Sequence, residues 1–421
     1  MSGIILILAL LFIKTINCKS PNILFIIVDD LRPSLKCYGD QEAYTPNIDK
    51  LSSTSFLFKN AYAQQALCGP SRSSFLTSRR PDTLNVYVNE YSYWRSTVGN
   101  FTTLPQHFKQ NGYHTYSIGK VFHPGKMSNF TDDYPYSWST EAFHPKTDAY
   151  TNAKVCIGKD GKLAKNLICP VIPEYQPDGT LPDLESLNEA VRFLKYKNEI
   201  ADKPYFLAVG FHKPHIPLKF PIQYIGWSIG EHGEFAKYSN FDIATKVPLL
   251  IHVPGFSENE VIFSNPVELV DLFPTLVDLT QVSEPLKRCA FNKSEILCTE
   301  GRSLVPSIFK KSLNKNIPPS VAFTQYPRPG LRPTLQPNSD QPKFQEITIM
   351  GYSLRTNRYK YTEWVKFSIK TFKPNWDVVY GRELYDHVID PDENNNIVDR
   401  DVLKNITKAL RKKLILGWRY S

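Results

Sequence analysis

Residues Asn22 to Val28 read NILFIIV, an apolar and β-branched run that ends abruptly at Asp29-Asp30. A short run without polar alternation suits a strand buried on both faces, as in parallel sheets covered by helices. Such a strand delivers its two terminal carboxylates to the C-terminal edge of a sheet, where open α/β folds bind their ligands. The chain is therefore read first as an α/β protein with a ligand site beside Asp29 and Asp30.

The rest of the chain extends that reading. Helices are expected over Pro46–Ser55, over Pro70–Ser78 with proline near the first turn, and over Leu104–Asn111. Phe56–Ala61 is read as a connection, and Tyr113–Ile118, Tyr205–Val209 and Val247–Val253 as strands. Leu187, Ala190, Val191 and Leu194 recur at helical spacing and predict a helix over Leu184–Lys197 with those residues on its inner face. Val267–Leu279 is read as a helix interrupted at Pro274. After Cys298 the pattern changes: Val321–Thr324, Ile347–Leu354 and Tyr359–Val365 predict strands and Val402–Ile415 a closing helix. The expected organisation is residues 1–18 as a signal peptide, 19–298 as the catalytic α/β domain and 299–421 as a smaller α+β subdomain.

The compartment follows from local features. Gly3 to Ile13 is apolar but too short to span a bilayer, which suits a cleaved signal segment ending near Cys18. Sequons stand at Asn100, Asn129, Asn292 and Asn405. Cys156 and Cys169 bracket one short loop, and Cys289 and Cys298 another, so both pairs are expected as local disulfides of an oxidising compartment. Cys37 and Cys68 are left over. The net charge of +9 suits a polyanion. The excess could equally be spread over solvated surface, and charge alone does not choose; in a secreted chain an acidic glycan suits it, and neither nucleic acid nor a membrane span is expected.

Cys68-Gly69-Pro70-Ser71-Arg72 has the pattern Cys-x-Pro-x-Arg, which arises by chance in roughly one chain in fifty of this length. The cysteine stands just before a helix start, where free N–H groups favour an anion, and Arg72 lies one turn further on. Taken singly, the cysteine could be a packed thiol, Asp29-Asp30 a helix cap, and each histidine or lysine below an ordinary surface residue. Their joint order along the chain is what carries weight.

With these residues in place the chain resembles a type I sulfatase. The carrying stretches are Ile26 to Pro33, Gln64 to Pro81, Gly119 to Gly125, His212 to Pro217, Gly230 to Asn240 and Gln325 to Pro329. The resemblance implies an alkaline-phosphatase-like mixed sheet sandwiched by helices. It implies hydrolysis of a sulfate ester, specifically the 2-sulfate of terminal iduronate in heparan or dermatan sulfate. Cys68 would be oxidised to formylglycine by the formylglycine-generating enzyme, and its hydrated diol would attack sulfur and later release sulfate. Arg72, Lys120 and Lys237 would stabilise the developing negative charge. His123 and His215 would serve as general acid and base. A Ca²⁺ ion would bind Asp29, Asp30 and the converted Cys68. The resemblance also implies lysosomal or secreted delivery.

The sequence departs from the family at one place. Where the family carries a strand ending in Asp-His, with two more metal ligands, Phe220 to Ile225 runs straight into Gly226-Trp227. The expected consequence is a metal site short of oxygens and a sheet short of a central strand. A splice variant or incomplete gene model would produce such a junction. Two alternatives follow. One is a catalytically impaired secreted protein that binds sulfated glycan. The other is a phosphodiesterase of the same superfamily, against which Cys68 speaks because those enzymes use serine or threonine.

Overall fold

A computed structural model describes residues 20–421 apart from 91, 159, 166–167, 197–202, 221–227, 230–231, 233–234, 292–294, 313–319, 332–341 and 421. The expected signal peptide, the Asn292 sequon and the Tyr224–Gly226 junction therefore lie outside the described residues. Along the chain run β1 (Ile23–Val28), α1 (Pro46–Ser52), β2 (Phe56–Tyr62), α2 (Cys68–Thr77), α3 (Leu104–Gln110), β3 (His114–Gly119), α4 (Pro182–Tyr196) and β4 (Tyr205–Phe211). There follow β5 (Lys246–Ile251), β6 (Val261–Phe263), β7 (Val267–Glu268) and α5 (Leu272–Thr280). The last part holds β8 (Ala322–Arg328), β9 (Ile349–Arg355), β10 (Tyr359–Ser368), β11 (Lys373–Asp386) and α6 (Lys404–Leu416).

The first sheet has the order β1-β4-β3 and is wholly parallel, with Ile23 opposite Phe206 and His114 opposite Tyr205. Helices cover both faces. Phe75, Leu76, Leu104, Phe108, Phe206 and Phe273 pack one side, and Ile118, Leu207 and Val209 meet Ala190 and Phe193 of α4 on the other. Three strands thus end side by side at Val28, Gly119 and Phe211, which forms the rim the sequence predicts. On β1, Leu24 is 48% exposed and Ile26 51% exposed, so one face of that strand is only partly covered.

The second sheet is mixed. β2 runs through its middle, antiparallel to β5 and parallel to β6 and β7. This corrects the reading of Phe56–Ala61 as a connection. Phe56, Leu57 and Phe58 are all buried, so the segment lacks alternation because both of its faces are covered. Val267–Leu279 is also corrected. It opens as the short strand β7, and the helix begins only at Leu272, which places Pro274 in the first turn, where it lacks no helical partner. In α4 the buried residues are Ser186, Ala190 and Phe193, while Leu187 and Val191 stay 45% and 40% exposed. The helix is turned from the predicted face because Phe193 takes the aromatic slot against Tyr116 and Tyr205.

The third sheet, β8-β9-β10-β11, is an antiparallel meander. α6 packs Leu410 and Leu414 on its Leu354, Tyr361 and Leu384. The 14-residue β11 was not expected, because its alternation mixes charged and aromatic residues and hides the apolar face. Both expected disulfides are present, leaving Cys37 and Cys68 as free thiols. The sequon residues Asn100, Asn129 and Asn405 are all exposed.

Candidate active site

Cys68 is the first residue of α2 and is buried. The Gly69 N–H of that first turn donates to Asn89 Oδ1 at 2.8 Å. A Cβ at Gly69 would lie 2.4 Å from Met127 Sδ and 2.8 Å from Asn89 Oδ1, so a larger residue there would require those side chains to shift. β1 brings Asp29 and Asp30 to the same place. Asp30 holds the left-handed conformation, φ 61°, which turns its carboxylate back toward the thiol. The Cys68 thiol faces Asp29 Oδ1 at 3.4 Å and Asp30 Oδ1 at 3.8 Å.

Three cations converge on this pair. Arg72, one turn along α2, places Nη2 3.0 Å from Asp29 Oδ1 and donates through Nη1 to the Val121 carbonyl at 2.8 Å. Lys120 follows β3 directly and its Nζ lies 2.5 Å from Asp29 Oδ2. The backbone behind it is locked, because Lys120 N–H donates to the Gly210 carbonyl at 2.9 Å. A Cβ at Gly210 would sit 2.0 Å from the Lys120 carbonyl oxygen. Lys237 pairs with Asp30 and stands 2.9 Å from Cys68 Sγ.

His215 Nε2 is 3.8 Å from Asp30 Oδ2. His215 Nδ1–H can donate to the Ile216 carbonyl at 2.6 Å, and His123 Nδ1–H to the Pro124 carbonyl at 2.9 Å. In both rings that assignment leaves Nε2 as the nitrogen able to accept a proton.

The electrostatics follow from burial and these pairings. Burial alone would raise the Asp29 carboxyl, but Arg72, Lys120 and Lys237 outweigh it and hold it well below the usual carboxylate range. Burial raises the Cys68 thiol, with Lys237 opposing. Burial, then Lys120, pushes both imidazoles from the usual 6.5 down to about 4. Burial would lower the Lys237 ammonium, but Asp30 and the Cys68 sulfur raise it further, so it is a firm cation.

The sequence-predicted residues Asp29, Asp30, Cys68, Arg72, Lys120, His215 and Lys237 thus gather at one sheet edge, and His123 lies beside Lys120 and Arg72. One contributor was not predicted: Asn89 fixes the start of α2. His215, predicted as a general acid or base, also joins Asp29, Asp30 and Cys68 in a cluster whose donor atoms all lie within 4.8 Å. Asn89 lies in a turn-rich stretch with no motif to mark it. An anion placed here would meet the buried Arg72 and Lys120, the partly buried Lys237, two neutral imidazoles and a helix N-terminus.

Residues 21–228 match the sulfatase family model. The mouse iduronate 2-sulfatase is 39% identical over 517 aligned positions, covering 93% of each chain, and the human protein is 39% identical over 89% of this chain and 90% of its own. The chain belongs to the sulfatase family. It is a sulfatase similar to iduronate 2-sulfatase and acts on sulfate esters. Among solved structures, BT4656 in complex with its substrate D-glucosamine-2-N,6-O-disulfate aligns with TM-score 0.66 at 17% identity, covering 95% of this chain and 98% of its own. The phosphonate monoester hydrolase of Agrobacterium radiobacter aligns with TM-score 0.67 at 17% identity and 95% coverage of both chains. At these identities the two structures show a shared alkaline-phosphatase-like fold. The alignment to the mouse sulfatase is longer than this chain of 421 residues, so that protein carries stretches with no counterpart here.

Proposed function

We propose that this sulfatase removes the 2-sulfate from terminal iduronate of heparan and dermatan sulfate, after Cys68 is converted to formylglycine by the formylglycine-generating enzyme of the secretory pathway. The supporting likeness is the 39% identity to two iduronate 2-sulfatases over nearly the whole chain. The observation that carries the chemistry is Cys68 at the start of α2, buried among Arg72, Lys120 and Lys237. Its sulfur stands where the oxygens of the converted residue would be. The converted residue supplies a hydrated aldehyde, with one hydroxyl to attack sulfur and a second to release sulfate.

The chain's own groups do the rest. Arg72, Lys120 and Lys237 hold the sulfate and offset the charge that builds on its oxygens. Asp29, bonded to Arg72 and Lys120, fixes both cations in place. The two imidazoles are neutral above about pH 4, so each can take a proton at Nε2. A bound sulfate adds negative charge beside them and favours their protonated forms, which supplies the acid for the leaving sugar oxygen.

The family's Ca²⁺ would be held by Asp29, Asp30 and the converted Cys68. Ca²⁺ takes six to eight oxygen ligands. The described cluster offers two carboxylates, one imidazole and residue 68, and both carboxylates already hold cationic side chains. That set fits a tight Ca²⁺ site poorly, and no step is assigned to the ion. Lysosomal or secreted delivery is part of the proposal, supported by the two disulfides and the exposed sequons.

The test is mass spectrometry of the tryptic peptide bearing Cys68, from cells that contain the converting enzyme. Conversion lowers its mass by about 18 Da, whereas the ordinary thiol oxidation ladder raises it. The same preparation is assayed on a disaccharide with terminal iduronate 2-sulfate. Converted peptide with sulfate release supports the proposal. An unconverted peptide in well-folded protein overturns it in favour of a chain that only binds sulfated glycan.

A further inference from the structure

Lys237 directly follows the two-residue strand Phe235–Ala236, which pairs antiparallel with Ser228–Ile229, and beyond it the segment has little regular structure of its own. Between it and the single helical turn Asp242–Thr245, the local bond is Ser239 N–H to the Lys237 carbonyl at 2.8 Å. The segment is instead tied to the third sheet. Asn240 Nδ2 donates to the Gly351 carbonyl in β9 at 3.0 Å, and Gly351 has no side chain that would bar this approach. Asp242 N–H donates to Glu393 Oε2 at 2.8 Å.

The Asp242 carboxylate is held as firmly as its backbone. It accepts from Tyr62 of β2 at 2.9 Å and from Lys360 of β10 at 3.2 Å, with Arg355 at 3.4 Å. Lys360 also bonds Glu393 at 3.2 Å, and His387 Nε2 lies 2.8 Å from Glu393 Oε1. Asp242, His387 and Glu393 bring their donor atoms within 4.8 Å of one another, with the Lys360 ammonium bonded to both carboxylates. Burial would raise the Asp242 carboxyl, but Lys360 and Arg355 overcome it and keep it ionised. Asp242, Tyr62, Lys360, Arg355 and Glu393 are buried and His387 is partly buried, so the network is stiff and breaking one bond exposes a charge to a dry interior.

We propose that Asn240, Lys360 and Glu393 are positioning residues for Lys237, so that the third sheet, remote in sequence, sets where the sulfate-facing ammonium stands. The proposal rests on the reading of Lys237 as a cation of the sulfatase reaction. A misplacement of about 1 Å at a reacting group can cost about a hundredfold in rate, so a partial loosening of this tether is visible in turnover.

The test compares Asn240→Ala and Glu393→Gln, each alone and each combined with Lys237→Met, in the full chain. Each single variant is expected to lower kcat about tenfold with KM changed less than about threefold, because the lost contact matters most as charge develops on the sulfate. In the Lys237→Met background neither is expected to lower kcat further, since residues acting through one group are not additive. Hydrogen exchange over residues 237–245 is expected to quicken in both variants while β1 and β4 keep their protection. Additive losses of kcat in the double variants would overturn the proposal, as would unchanged exchange over 237–245. Should the unaltered chain release no sulfate, the reading of its function fails, and the exchange comparison still decides whether the tether exists. Asn240→Ala removes a single hydrogen bond and keeps the test open if Glu393→Gln folds poorly.

Discussion

Two buried charge clusters in this molecule use the same ingredients to opposite ends. At the rim of the first sheet, Arg72, Lys120 and Lys237 face Asp29 and Asp30, three cations against two carboxylates. At the junction with the third sheet, Lys360 and Arg355 face Asp242 and Glu393, two against two. The first has a cation in excess and the Cys68 thiol in its midst. It is incomplete until an anion arrives, and a sulfate ester carries one negative charge. The second is balanced and asks for nothing. A cluster of buried charges is thus a site when its sum is unsatisfied and a fastening when its sum is closed.

The sharpest way to break that contrast is to remove one cation from each. Lys360→Met leaves Asp242 and Glu393 with Arg355 alone, and an uncompensated buried charge costs about 3–5 kcal/mol. A clear fall in Tm, read by calorimetry, is expected. Lys237→Met leaves two cations for two carboxylates. Its Tm should stay close to that of the unaltered chain while kcat falls by about 10²–10³-fold, as for other lost charge-stabilising donors. If both variants lose the same stability, the two clusters do not differ in kind.

The contrast also explains what could be read in the sequence. The rim was legible because chemistry concentrates its residues beside strand ends and a helix start. Asp29-Asp30 follows an apolar run, Cys68 and Arg72 sit on one turn, and Lys120 follows a strand. The fastening was not legible. Asp242 and Lys360 lie far from each other and from the His387–Glu393 stretch in the chain, and each reads alone as an ordinary solvated polar group. The same logic separates the elements. β1, β3 and β4 announce themselves by apolar runs, whereas β11 is hidden by charges along its exposed face. β2 was mistaken for a connection because Lys59 and Asn60 interrupt its apolar run, which is shorter than that of β1.

The smallest expected effect concerns acid. His123 and His215 sit among the excess cations, and burial followed by Lys120 pushes both from 6.5 to about 4. Between about pH 6.5 and 4 the unfolded chain therefore holds protons on these imidazoles that the native protein does not. The unfolded state binds more protons, so stability falls as pH falls through that window and levels off below about 4. Replacing both with glutamine should flatten the decline of Tm between pH 6.5 and 4 and leave values above pH 7 little changed. A sulfated ligand reverses the sign, because its negative charge favours the protonated rings; binding should take up protons and tighten as the medium becomes acidic. The balanced cluster has no excess cation and no reason to respond to an anion. If the decline of Tm were equally steep in the glutamine variant, the imidazoles would not feel the excess positive charge, and the rim would be a closed fastening like its counterpart.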